Sequence, residues 1–182
     1  IMESEVPKRF VDIINKCVDP ILADDQKSIQ WDWSHKLVGK VHKEVQIPIS
    51  SEDDIMYTKK IMKSACLSYM QDAIKNNTAY GWKKIAGDVK PTLQNVHLTQ
   101  SWVVSQYAGE FNPWHHHTGD FSAVIYLKLP PNMHKEIEED FEDHYPANGL
   151  IEFMFGENQS FRSDNLKFKP EVGKMLVFPS WL

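Results

Sequence analysis

The hydrophobic pattern changes period partway along the chain, and that change limits the fold to a mixture of helix and sheet. In the first half, Phe10, Ile13, Ile14 and Cys17 recur at three- and four-residue spacing behind Pro7, which predicts a helix that Pro20 stops. Ser51 followed by Glu52, Asp53 and Asp54 has the chemistry of a helix start, a side-chain cap and acids at the positive end of the dipole. Ile55, Met62, Cys66, Tyr69, Met70, Ala73 and Ile74 then form one apolar stripe. That helix would be on the order of 35 Å long, enough to brace a sheet. Between the two, Val41–Ile47 alternates as a strand does and ends at Pro48. After residue 95 the runs become short, β-branched or aromatic, and are separated by Gly, Pro and Asn: Val96–Leu98, Ser101–Tyr107, Phe121–Leu129, Leu150–Phe155 and Lys174–Phe178. The expected class is α+β, with a jelly-roll core over 91–182 and the N-terminal helices of 1–90 packed on one face.

At 182 residues the chain suits a single domain over 1–182. Its 42% hydrophobic and 25% charged composition excludes disordered and fibrous classes. No apolar run approaches the roughly 18 residues of a membrane span. The net charge of −5 argues against nucleic-acid binding, which needs a cationic surface. The excess acid is concentrated in Met133–Pro146, which holds six acidic residues and two histidines. This segment reads as a solvated loop, with a lid favouring a basic peptide as its functional alternative. Cys17 and Cys66 lie on apolar stripes and are expected as free thiols, a single disulfide being the alternative. The N-terminus shows no signal peptide, so a cytoplasmic location is expected, and the start at Ile1 leads us to expect residues ahead of it.

The densest chemistry is Trp114-His115-His116-His117-Thr118-Gly119-Asp120, three of the eight histidines set between two expected strands. If 114–117 is extended, His115 and His117 share one face and His116 points away, so two imidazoles could hold one transition metal. A solvated loop, or rings hydrogen-bonded to neighbours, remains the alternative. The chain has no phosphate-binding glycine loop, no Cys-x-x-Cys pair and no nucleophile elbow to compete with this cluster.

As an ordered set, Ser101-Trp102-Val103, the Gly109–His117 run containing Phe-Asn-Pro-x-His-x-His, the Ser122–Leu127 strand, Gly149-Leu-Ile-Glu-Phe and Gly173-Lys-Met-Leu-Val-Phe-Pro-Ser-Trp-Leu resemble the 2-oxoglutarate/Fe(II) oxygenases related to prolyl hydroxylases, including small bacterial and phage-encoded members. Trp33–Val45 is similar more loosely. The resemblance implies a double-stranded β-helix that holds Fe(II), with 2-oxoglutarate as cosubstrate, and hydroxylation of a prolyl or other residue of a peptide or protein with release of succinate and CO₂. It implies a cytoplasmic setting, that of the host for a phage-encoded member, and neither a membrane nor a nucleic-acid partner.

By the same resemblance His115 is the first metal ligand and His117 occupies the position of the usual carboxylate, with Asp120 as an alternative third donor. Tyr107 and Tyr126 correspond to tyrosines that bond a cosubstrate carboxylate, against the plain reading of aromatic core. Ile151 would be apolar wall of that pocket, and Trp114 a wall of the metal site. The family's distal histidine is expected two residues past Leu182, with a basic residue about ten further on. Two other classes remain open: a catalytically silent jelly-roll binding module, and a cupin-type three-histidine metal enzyme without 2-oxoglutarate.

Overall fold

The computed structural model describes residues 1–34, 39, 41–133, 135, 149–157, 159–161 and 163–182. Helices and antiparallel sheets are both present, and the chain divides into two compact units: Val6–His115, and Ile1–Glu5 together with His116–Leu182.

The Val6–His115 unit contains helices α1 (Lys8–Leu22), α2 (Asp25–Gln30), α3 (Glu52–Lys75) and α4 (Tyr80–Ala86), and strands β2 (Lys43–Gln46) and β3 (Trp102–Ser105). Phe10, Val11, Ile13, Ile14, Val18 and Ile21 form the buried face of α1. This helix runs through Pro20 to Leu22, two residues beyond the expected stop. A proline so near the C-terminus removes one backbone donor in the last turn but leaves the preceding turns intact. The Lys43 ammonium closes that end, donating to the Leu22 carbonyl at 2.8 Å and to Asp25 at 2.7 Å. β2 pairs antiparallel with β3, placing Glu44 opposite Val104 and Val45 opposite Val103. Val45 is buried, and β2 lies beside α1.

Ser51 caps α3, accepting from the Asp54 N–H at 3.4 Å. Ser51→Ala is expected to cost about 0.5–1 kcal/mol, read as a shift in the denaturant midpoint. Arg9 ties α1 to α3, its guanidinium lying 3.4 Å from Asp54 and 4.3 Å from the centre of the Tyr57 ring. The expected apolar stripe of α3 is only partly covered. Thr58, Cys66 and Met70 are buried while Ile55, Met62 and Tyr69 are half-buried, and the helix lies against α1 and the 3-10 turn Leu93–Asn95 rather than bracing a sheet. Val96–Leu98, expected as a strand, is not one. The Thr92–Asn95 capping box precedes it, and the Val96 N–H turns back to the Leu93 carbonyl at 3.4 Å instead of entering a ladder. Cys17 and Cys66 are free thiols, and burial raises the pKa of both.

In the other unit, β7 (Lys174–Pro179) is the central strand, paired antiparallel with β1 (Met2–Glu5) on one side and β4 (Phe121–Ile125) on the other. β5 (Ile151–Met154) and β6 (Asn165–Phe168) form a second antiparallel pair. The core joins the two: Phe153 of β5 meets Phe178 of β7 edge-on at 4.7 Å and Phe168 of β6 at 5.8 Å, with Leu176 fully buried beside them. Strands β1 and β6 have no apolar run to announce them and were not expected.

Candidate functional site

His117 and Asp120 are gathered at the end of β7. The register of β4 on β7, Phe121 opposite Pro179, continues one step to Ser180, whose N–H donates to the Asp120 carbonyl at 3.1 Å. The Ser180 carbonyl does not bond Asp120 in return. It accepts from the N–H of His117 at 2.9 Å, so the chain loops tightly between the two residues. Gly119, at φ +92°, supplies a backbone state in that loop that other residues rarely adopt. Ser180 is buried, and its hydroxyl lies 2.9 Å from that of Ser122. The His117 ring is half-buried, 6.4 Å from that of Phe178.

His115 is exposed, with Nδ1 2.7 Å from the Pro113 carbonyl. A carbonyl can only accept, so Nδ1 carries a proton, and in the neutral ring the lone pair resides on Nε2. The stretch 114–117 is irregular rather than a strand, so the alternation that would put His115 and His117 on one face does not apply. Loop residues Asn112, Pro113 and Trp114 interrupt the period, and Trp114 is exposed. Glu44 is buried on β2, and its carboxyl pKa is raised chiefly by burial, further by the charge of Asp32, and opposed by His115.

Tyr107 is exposed and meets His42 edge-on at 5.0 Å. Its N–H donates to the Glu110 carboxylate at 2.8 Å, closing a turn in which Gly109 sits at φ +79°. Tyr126 follows β4, its backbone paired with Lys174 and Gly173 across the sheet. Burial pushes its phenol up to about 12 from 10. The folded chain therefore holds this proton longer than the unfolded one. The contribution of Tyr126 to stability is complete below pH 10 and is lost as the pH rises towards 12, by roughly 1–2 kcal/mol. Denaturant titrations on either side of pH 10 should show this alkaline loss in the wild type and its reduction in Tyr126→Phe. Ile151 packs into the apolar cluster of Phe153, Leu176 and Phe178.

Ser180 and Glu44, both buried, the first hydrogen-bonded to His117 and Asp120 and the second within electrostatic reach of His115, do not stand out in the sequence. Ser180 sits inside the Phe-Pro-Ser-Trp run but has no chemistry that spacing would flag. Glu44 was legible only as the polar face of the alternating Val41–Ile47 strand. Apart from Met133 and Lys135, the acidic Met133–Pro146 segment lies outside the described residues. Among the described residues, no helix is long and apolar enough to cross a membrane.

A family model described as "Putative 2OG-Fe(II) oxygenase" matches residues 100–182. No curated protein and no solved structure matches the chain. Imidazole and carboxylate are suitable donor types for iron. Among the described residues, however, no three His, Cys, Asp or Glu side chains are grouped to hold a metal ion, so the described donors do not complete an iron site and no reaction step follows from them. The match nevertheless spans Tyr107, His115, His117, Asp120, Tyr126 and Ile151 alike, and the family that residues 100–182 are similar to implies Fe(II) as cofactor and 2-oxoglutarate as cosubstrate.

Proposed function

We propose that this chain is a non-haem Fe(II)- and 2-oxoglutarate-dependent dioxygenase, hydroxylating a prolyl or other residue of a peptide or protein with release of succinate and CO₂. The observation that carries the reading is the backbone clip at Ser180, which gathers His117 and Asp120 at the end of β7 inside the family match. In this reading the domain covers 1–182 and its core is a double-stranded β-helix. His115 and His117 are metal ligands, with Asp120 as the alternative carboxylate. The hydrogen bond to Pro113 supports the role of His115, because a neutral ring that donates from Nδ1 presents its lone pair on Nε2. Tyr126 supports cosubstrate binding in a similar way: a phenol that stays protonated to about pH 12 is a donor, not a competing anion, toward a carboxylate. Tyr107 is the second candidate donor, and Ile151 supplies apolar wall. A cytoplasmic setting accords with two free thiols.

The test is succinate production from 2-oxoglutarate by the full-length protein with Fe(II), with and without proline-containing peptides. Succinate that rises with peptide, accompanied by a peptide mass gain of one oxygen, supports the reading. Turnover of 2-oxoglutarate without any gain in peptide mass would reject the peptide substrate and keep the oxygenase.

A further inference from the structure

We propose that the cleft between the C-terminal end of α3 and α4 binds an acidic peptide segment through an apolar anchor residue. The cleft has a volume of about 400 Å³, within the range of ligand pockets, and its walls include Ile74, Trp82, Val89 and Pro91, with Lys75 and Lys90 beside them. The indole N–H of Trp82 donates to the Val89 carbonyl at 3.2 Å, tying the segment after α4 back onto the helix. Lys83, also on the lining, donates to Asn77 at 2.7 Å.

Two features of the surrounding surface point to a partner. Tyr80, Ile85 and Val89 are 71%, 89% and 61% exposed, three large apolar side chains within ten residues, where a monomer's surface normally scatters them singly. The same stretch carries Lys75, Lys83, Lys84 and Lys90, all exposed, against the single acid Asp88, in a chain whose net charge is −5. An apolar centre with a cationic rim complements a segment in which acidic residues flank a large apolar one. Lysines beside a tryptophan could also suit single-stranded nucleic acid. That mode needs a cationic groove tracking the phosphates and open ring faces for stacking. Trp82 is instead half-buried in the cleft wall, and Asp88 interrupts the rim. The cleft lies outside residues 100–182, so the proposal does not depend on the iron chemistry.

The experiment uses the full-length protein without added iron. Fluorescence anisotropy is followed with a labelled acidic peptide carrying a central Leu-Phe pair, the same peptide with lysines replacing its acids, and a labelled oligo-dT. The acidic peptide should bind and should weaken as salt rises from about 50 to about 300 mM. The double variant Lys75→Glu/Lys90→Glu should bind it at least about tenfold more weakly. Both changes are on exposed side chains, so an unaltered circular dichroism spectrum checks the fold. Equal binding of the acidic and basic peptides, unchanged affinity in the double variant, or tighter binding of oligo-dT would each overturn the proposal.

Discussion

Leu176→Ala is expected to destabilise the unit built on β7 by about 3–5 kcal/mol. Leu176 has no exposed surface, and it stands at the middle of the central strand, opposite Glu3 on β1 and Val124 on β4. Its side chain shares the cluster with Phe153 and Phe178, whose rings come from two different sheets. Truncation removes the transfer free energy of the lost methyl groups and leaves a cavity that rigid neighbours cannot refill, since both flanking strands are fixed by ladder bonds. Leu166 on β6 is the control. It is 44% exposed, so Leu166→Ala should cost under about 1 kcal/mol. Urea titrations followed by near-UV circular dichroism measure both. A loss below about 1 kcal/mol at Leu176 would mean that β7 is not the centre of this core.

The second large effect concerns iron. His117→Ala is expected to weaken Fe(II) binding by the full-length protein at least about a hundredfold, because it deletes a proposed ligand rather than a supporting contact. His116→Ala should change it little: His116 is exposed and has no proposed role. Asp120→Ala decides the ambiguity at this position. If it matches His117→Ala, both side chains act at the metal; if it resembles His116→Ala, His117 alone fills the carboxylate position. Isothermal calorimetry under anaerobic conditions reads all three. An unchanged affinity in His117→Ala would remove that residue from the ligand set.

The parts of this fold that could be read from the sequence are those where one physical signal dominates. The apolar spacing of Phe10, Ile13 and Ile14 and the cap at Ser51 located α1 and α3, Val41–Ile47 and Ser101–Tyr107 each contained the strand they suggested, and Lys174–Phe178 fell one residue short of its strand, which ends at Pro179. Where signals were weak or shared, pattern did not suffice. Met2–Glu5 has one apolar residue, Met2, and becomes a strand only because β7 offers it an edge. Val96–Leu98 has strand residues but follows a capped turn that already uses the Val96 N–H. The site divides in the same way. The residue types in Trp114–Asp120 single out that stretch, whereas the contact that gathers His117 and Asp120 comes from Ser180, some sixty residues later, and no local spacing reports it.

The most direct test of the central claim is an anaerobic titration of the full-length protein with Fe(II) and then 2-oxoglutarate, watching for the visible charge-transfer band of the chelate. The account predicts that the band appears and that His115→Ala abolishes it. Iron binding without a band would contradict the use of 2-oxoglutarate and favour a three-histidine enzyme of cupin type, and binding of neither would leave a fold without the chemistry.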